Sequence, residues 1–127
     1  MGDNSWGALV VDDDEMICRA TQRMFHHLGL DCDIARDGDA AVAAARASRY
    51  SVILMDVNMP GLDGPGATRA ILTGFAAKPP VIIGMTGGVD EKHHAECLLA
   101  GMSTVLTKPV RLEDVSRLVA LSRTVQA

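Results

Sequence analysis

Residues 52–61 read VILMDVNMPG, in which four apolar residues precede an acid and a stretch broken by proline and glycine. A strand buried on both faces of a parallel sheet has this kind of continuous apolar run. A carboxylate without a partner inside such a strand would cost several kcal/mol. We therefore expect Asp56 just past the C-terminal end of a central strand, where open α/β sheets bind their ligands.

The composition limits the classes of protein to which the chain can belong. Its 127 residues are 48% hydrophobic and carry a formal net charge of −4, which suits one compact domain. An acidic chain with few aromatic residues lacks the basic face of a nucleic-acid binder, so we expect no nucleic-acid partner. The three cysteines, Cys18, Cys32 and Cys97, are far apart and form no disulfide or zinc pattern, as in proteins of a reducing compartment.

No segment of the sequence has the features of a signal peptide or the length of a membrane-spanning helix. We therefore expect no membrane association and a cytoplasmic location, or a nuclear one in a eukaryote.

Short apolar runs alternate with stretches of helical character along the whole chain. This alternation predicts a parallel sheet with helices on both faces, joined by right-handed crossovers into three layers. In the first helix, an apolar spacing predicts a buried face formed by Met16, Ile17, Ala20, Met24 and Leu28. The predicted strands are 8–11, 32–35, 52–55, 81–85 and 103–106, and the predicted helices are 15–28, 38–48, 65–74, 90–100 and 111–124.

Residues that could bind a metal ion or a phosphoryl group follow four of the five predicted strands. Asp12 and Asp13 follow the first strand and Asp56 follows the third, while Thr86 and Lys108 follow the fourth and fifth. Because parallel strands end at one edge of their sheet, these side chains are predicted to be neighbours.

The chemistry of this group points to a phosphoryl site. Three adjacent carboxylates repel one another, and hard oxygen ligands without histidine or cysteine favour Mg²⁺ over zinc or copper. Lys108 offers a point charge and Thr86 a hydroxyl for a phosphoryl group. A carboxylate in such surroundings can accept a phosphoryl group, a reaction in which the protein mainly positions groups and neutralises charge.

Four motifs together resemble the receiver domain of two-component response regulators, of which the chemotaxis protein CheY is an example. The resemblance covers about residues 7–124, and it implies a flavodoxin-like (βα)5 sandwich with strand order 2-1-3-4-5. We expect residues 1–127 to form one receiver domain without an output domain, either a separate protein or a part of a hybrid kinase. The motifs are VVDDDE (10–15), ILMDVNMPGLDG (53–64), MTGG (85–88) and LTKP (106–109).

The resemblance implies that Asp56 is the phosphoacceptor and that a divalent cation assists it. Mg²⁺, or Mn²⁺ in its place, would be held by Asp13 directly, by Asp12 through water, by Asp56 and by the backbone carbonyl of Asn58. The phosphoryl donor would be a phosphohistidine on a histidine kinase or a histidine phosphotransfer protein, and a further protein would be the downstream target.

The resemblance also implies which residues respond to phosphorylation and so form the switch of the domain. Lys108 would pair with the phosphoryl group, Thr86 would move towards it, and Gly87 would leave room for the donor. Pro109 matches a position of the family at which the peptide bond before the residue is typically cis. Val105 departs from the family, which usually has Tyr or Phe there, so we expect a smaller or different output change without the ring.

Other polar residues have structural interpretations. Asp14 is predicted to cap the first helix, and Pro65 to lie in the first turn of the third. The pairs His26-His27 and His93-His94 are predicted to lie at the surface or at helix ends, because adjacent helical residues diverge.

Two alternatives stay open from the residues alone. The chain could be a pseudo-receiver, an interaction module of this fold that is never phosphorylated, although its intact acids and lysine argue against that. It could also be a Mg²⁺-dependent phosphatase, but Asn58 stands where such an enzyme needs a second acid. We expect a monomeric signalling domain whose own chemistry is limited to self-phosphorylation and autodephosphorylation.

Overall fold

Five strands alternate with five helices in the computed structural model, which describes residues 7–74, 78–88 and 91–126, with side chains to residue 124. The strands are Gly7–Val11 (β1), Cys32–Ala35 (β2), Tyr50–Asp56 (β3), Val81–Thr86 (β4) and Thr104–Thr107 (β5). The helices are Glu15–His27 (α1), Gly38–Ala47 (α2), Gly64–Thr73 (α3), Glu91–Ala100 (α4) and Leu112–Gln126 (α5).

The strands form one parallel sheet in the order β2-β1-β3-β4-β5, which confirms the predicted fold. In the register of this sheet, Leu9 of β1 lies between Asp33 of β2 and Ile53 of β3. Because β1 and β3 are direct neighbours, the acids that follow or end these strands come to the same short stretch of the sheet edge.

The sheet is covered on both faces, as its central strand requires. All seven residues of β3 are buried. Ile53 and Met55 belong to the core beneath α2 and α3, whereas Val52 and Leu54 belong to the core beneath α1 and α5. This alternation explains why the run from residue 52 to residue 55 is apolar without interruption.

The structure corrects the predicted end of β3. Asp56 is the last residue of the strand and lies opposite Met85, rather than beyond the strand as predicted. Its side chain is nearly inaccessible, with 3% of the residue exposed. Burial is tolerated because Lys108 and the backbone N–H of Asn58 both contact the carboxylate. The other predicted ends lie within two residues of those found, and residue 90, predicted as helical, lies outside the described residues.

The buried face of α1 is also partly different from the predicted one. Met16 is 81% exposed and Ala20 is exposed, whereas Cys18, Thr21 and Phe25 are buried. The other three predicted residues are half-buried at the sides of this stripe. The predicted face was displaced because it counted aliphatic residues and passed over a cysteine and a threonine that face the sheet.

Aspartates cap three of the helices. Asp14 accepts hydrogen bonds from the N–H groups of Met16 and Ile17 at 2.8 and 3.3 Å, as predicted. Asp37 and Asp63 cap α2 and α3 in the same way, and Pro65 lies in the first turn of α3. None of the helices in the described ranges combines the length and the apolar character needed to cross a membrane.

Candidate functional site

Three acids meet at the carboxyl edge of the sheet. One carboxylate oxygen from each of Asp12, Asp13 and Asp56 lies within 4.8 Å of the other two. Asp12 and Asp56 are buried, while Asp13 is exposed at the mouth of the site. Within the ranges that the structure describes, no other group of three acids, histidines or cysteines is close enough to hold a metal ion.

Lys108 lies between the two buried acids. Its Nζ is 2.9 Å from Asp12 Oδ2 and 3.2 Å from Asp56 Oδ1. The Lys108 N–H donates to the carbonyl of Thr86 at 2.7 Å, which ties the end of β5 to the end of β4. The peptide bond between Lys108 and Pro109 is cis, as the resemblance implied. Three carboxylates and one ammonium give the site a formal charge of −2, which suits a divalent cation.

The electrostatics of the site oppose ionisation of Asp56 and favour ionisation of Lys108. Burial, together with the nearby charge of Asp12, raises the pKa of Asp56, and Lys108 only partly offsets this. Burial also acts to lower the pKa of Lys108, but its hydrogen bond to Asp12 and the charges of both acids raise it above its ordinary value. Lys108 therefore stays an ammonium near neutral pH, and a bound cation would relieve the repulsion between the acids.

The backbone after β3 supports the Asp56 carboxylate. The Asn58 N–H donates to Asp56 Oδ1 at 3.2 Å, the same oxygen that Lys108 contacts. Neither of these two contacts uses Asp56 Oδ2. The Asn58 side chain is exposed, so its side-chain amide group is not buried within the cluster.

Thr86 and Gly87 lie beside the acids without contacting them. The Thr86 hydroxyl donates to the carbonyl of Gly88 at 2.9 Å, so it is directed along the loop after β4. A Cβ atom added to Gly87 would meet no heavy atom within 4 Å. The space over Gly87 is open, and packing does not require a glycine at that position.

Val105 borders a small cavity next to Thr86. The cavity has a volume of about 60 Å³, and its lining includes Val57, Thr86, Cys97, Val105 and Thr107. The aromatic ring usual for the family is absent at this point of β5, and unfilled space lies in its neighbourhood.

The histidines lie apart from the acids. His26, His27 and His94 are exposed, as predicted. His93 is half-buried, and together with His94 it lines the cavity beside Val105. Neither pair belongs to the acidic cluster.

Two residues that hold the backbone of Asp12 and Asp13, in the loop after β1, were not predicted from the sequence. Arg36 Nη2 donates to the carbonyl of Asp13 at 2.8 Å, and Cys18 Sγ donates to the carbonyl of Asp12 at 3.3 Å. The predicted strand order contained a signal for Arg36, because this residue directly follows β2, the neighbour of β1. Cys18 gave no comparable signal.

Comparison with known proteins identifies a family for nearly the whole chain. The family model described as the response regulator receiver domain matches residues 8–120. The transcription factor SKN7 of Candida albicans is 33% identical over 107 residues, which are 84% of this chain and 19% of that protein. The sensor histidine kinase RcsC of Escherichia coli K12 is 33% identical over 113 residues, 89% of this chain and 12% of that protein. The chain thus spans less than a fifth of the length of these relatives.

Solved structures have the same architecture. The receiver domain of the sensor histidine kinase PA1611 from Pseudomonas aeruginosa PAO1 is 32% identical, with a TM-score of 0.82, and 97% of this chain covers 99% of it. A magnesium ion is coordinated in the active-site cleft of that protein. The chemotaxis protein CheY4 of Vibrio cholerae is 27% identical, with a TM-score of 0.83 and coverage of 91% of this chain and 96% of that one. The resemblance inferred from the four motifs is confirmed, and this chain belongs to the response regulator receiver domain family.

Proposed function

We propose that this receiver domain accepts a phosphoryl group on the carboxylate of Asp56 from a phosphohistidine. An oxygen of Asp56 forms the new bond to phosphorus, the bond between phosphorus and the donor's imidazole nitrogen breaks, and the imidazole leaves with the electron pair. The observation that carries the proposal is the contact of Lys108 with both Asp12 and Asp56 inside the acidic cluster. The lysine holds a positive charge where phosphoryl oxygens would arrive.

The acids fit a Mg²⁺ ion, with Mn²⁺ as a substitute that also accepts hard oxygen ligands. Asp13 is exposed and would bind the ion directly, together with Asp56 and the carbonyl of Asn58. Both Asp12 oxygens already have partners, since Oδ1 accepts the Asp14 N–H at 2.9 Å and Oδ2 faces Lys108. Asp12 would therefore act through water. When bound, the ion neutralises charge on the transferring phosphoryl group.

Two side chains would then respond to the product. Phosphorylation replaces one carboxylate charge by a group with about −1.5 to −2 charges and three acceptor oxygens. Lys108 keeps its ammonium against these oxygens. Thr86 exchanges its hydrogen bond to Gly88 for one to the phosphoryl group, which pulls on the loop after β4.

A protein donor suits the surroundings of the site. An apolar groove of about 410 Å³ runs beside Lys108 and Gly87, and its lining includes Ile17, Ala20, Met24, Pro109 and Val110. The proposed occupant is the apolar surface of a histidine kinase or a histidine phosphotransfer protein that presents its phosphohistidine over Gly87. The domain then acts as a monomer on a downstream protein, and hydrolysis of the acyl phosphate by its own site ends the signal.

The test is the intact mass of the protein after incubation with Mg²⁺ and acetyl phosphate. The wild type is expected to gain one phosphoryl group, and to gain none when EDTA removes the metal. Asp56→Asn is expected to stay unmodified. Asp31→Asn is the control with the same charge change, because Asp31 is exposed and precedes β2 at the opposite edge of the sheet.

A wild type that stays unmodified by acetyl phosphate and by a phosphorylated phosphotransfer protein would contradict the proposal and favour a pseudo-receiver. Steady Mg²⁺-dependent turnover of an external phosphoester would instead favour a phosphatase.

A further inference from the structure

Arg36 makes two contacts at the mouth of the acidic site. Its Nη2 donates to the carbonyl oxygen of Asp13 at 2.8 Å, and its Nη1 is 3.2 Å from Glu15 Oε1. Glu15 also pairs with Arg19 at 3.2 Å. Arg36 is exposed, with 47% of its side chain accessible, so these contacts lie at the surface and not in the core.

The loop after β1, which carries Asp12 and Asp13, is held in place by hydrogen bonds to its backbone groups. The Asp12 N–H donates to the carbonyl of Ala35 at 3.2 Å, and the Asp12 carbonyl accepts from Cys18 Sγ at 3.3 Å. The next carbonyl, that of Asp13, accepts from Arg36. The N–H of the same peptide, that of Asp14, donates to Asp12 Oδ1 at 2.9 Å, so Arg36 holds the carbonyl side of this peptide and Asp12 its N–H side.

The guanidinium group is suited to this task. Its planar fork reaches two acceptors at once, so Glu15 orients the group while it binds the Asp13 carbonyl. Charge alone would favour a different residue, because a positive charge next to a cation site repels the cation. A role through position and a role through charge therefore predict opposite effects when Arg36 is removed.

We propose that Arg36 is a positioning residue for the metal site. It holds the Asp13 peptide so that the exposed carboxylate is preset to bind Mg²⁺ together with Asp56. The inference rests on the proposed function, because it requires that Mg²⁺ binds at Asp13.

The experiment is a calorimetric titration of the unphosphorylated protein with Mg²⁺. Partners that orient metal ligands commonly contribute 10- to 100-fold in affinity, and a contact to the backbone of an exposed ligand should lie at the low end. Arg36→Ala is therefore expected to raise the Kd for Mg²⁺ by about tenfold, although it removes a positive charge. Arg36→Lys keeps the charge and can still donate to one acceptor, but it lacks the planar fork, so it should recover part of the loss.

Arg19→Ala is the matched control. Arg19 binds the same Glu15 and carries the same charge, but its described contact does not reach the Asp13 loop. This variant is expected to bind Mg²⁺ as tightly as the wild type or slightly tighter.

A second readout separates positioning from general damage. In phosphorylation by acetyl phosphate, Arg36→Ala should shift the half-saturating Mg²⁺ concentration by the same factor and keep the rate at saturating Mg²⁺. Its thermal midpoint should stay close to that of Arg19→Ala.

The outcomes distinguish this inference from the proposed function. If the wild type binds Mg²⁺ and Arg36→Ala binds it as tightly as Arg19→Ala does, the role of Arg36 is refuted while the metal site stands. A lower maximal rate with unchanged Mg²⁺ affinity would also refute it. If the wild type does not bind Mg²⁺, both the metal site and the role of Arg36 fall.

Discussion

Gly64, the first residue of α3, packs against the backbone of the proposed phosphoacceptor. A Cβ atom added to Gly64 would lie 2.5 Å from the carbonyl oxygen of Asp56 and 2.9 Å from Cα of Val57. These are backbone atoms at the carboxyl end of the central strand, so they cannot move aside as the end of a flexible side chain can. We predict that Gly64→Ala destabilises the fold and displaces the Asp56 peptide.

The magnitude follows from two opposing terms. Overpacking of a core typically costs 1–3 kcal/mol, and contact with fixed backbone places this case at about 3 kcal/mol. Replacing glycine by alanine in a helix returns up to about 1 kcal/mol. The net loss is about 2 kcal/mol. With an unfolding entropy of about 0.27 kcal/mol per kelvin for 127 residues, the Tm should fall by about 7 °C.

The assay is urea and thermal unfolding followed by far-ultraviolet circular dichroism, with Gly66→Ala as the control. At Gly66 the nearest atom to an added Cβ is Cδ1 of Leu62, at 2.8 Å, which is the mobile end of a side chain. Gly66→Ala should therefore stay within about 1 kcal/mol of the wild type, since the helix gain offsets a small rearrangement. Equal stability of Gly64→Ala and wild type, or equal losses in both variants, would show that the contact with the Asp56 backbone does not destabilise the fold.

Three further predictions follow from charge, cavity and burial. Asp56→Asn should raise the free energy of unfolding, measured in urea without metal, because it removes one of three mutually repelling carboxylates. Mg²⁺ should reduce the difference in stability between this variant and the wild type. A variant less stable than the wild type would contradict this prediction. Val105→Phe should lower the free energy of unfolding by no more than about 1 kcal/mol, because a cavity adjoins Val105. Its Tm should therefore stay within a few degrees of that of the wild type. A large loss of stability would show that the cavity cannot admit the ring. Burial and then the charge of Asp33 raise the pKa of Cys32 from 9.0 to about 12, so the folded state holds this proton more tightly. That contribution to stability is complete below pH 9 and is lost towards pH 12, and urea unfolding at several pH values should show a shallower alkaline decline in Cys32→Ala than in the wild type.

The strand order and the meeting of the acids could be predicted from the sequence. Each central strand is a short apolar run that ends in a polar residue, and a parallel sheet brings all those ends to one edge. Asp12, Asp56 and Lys108 therefore come together through topology alone, although 96 residues separate the first from the last.

Features that depend on side-chain partners could not be predicted in the same way. Asp56 is the last residue of β3, where its burial is tolerated because Lys108 contacts the carboxylate, and a strand pattern does not report such a partner. The buried stripe of α1 includes Cys18 and Thr21, residues that a count of aliphatic side chains passes over. The Arg36 contact with Asp13 depends on the conformation of a loop, for which the sequence has no periodic signal.

Substitution of Val105 can test the proposed phosphorylation of Asp56 and the proposed structural response to it separately. The three acids and Lys108 come together although β5 has no aromatic ring at residue 105, so phosphorylation should not depend on that position. The cavity beside Val105 contacts Thr86, the residue proposed to respond to the phosphoryl group. A Val105→Phe variant thus separates the two functions, since it should change the response of the loop after β4 and leave the phosphorylation rate unchanged.

Locating the modified residue shows whether Asp56 itself carries the phosphoryl group. The phosphorylated protein is treated with hydroxylamine, which converts an acyl phosphate into a hydroxamate, and tryptic peptides are sequenced by mass spectrometry. We expect one modified residue, Asp56, in the peptide of residues 50–69, and none in the peptide of residues 1–19, which contains Asp12 and Asp13. A modification at Asp63 in the same peptide, at Asp13, or on a histidine would show that Asp56 is not the phosphoacceptor.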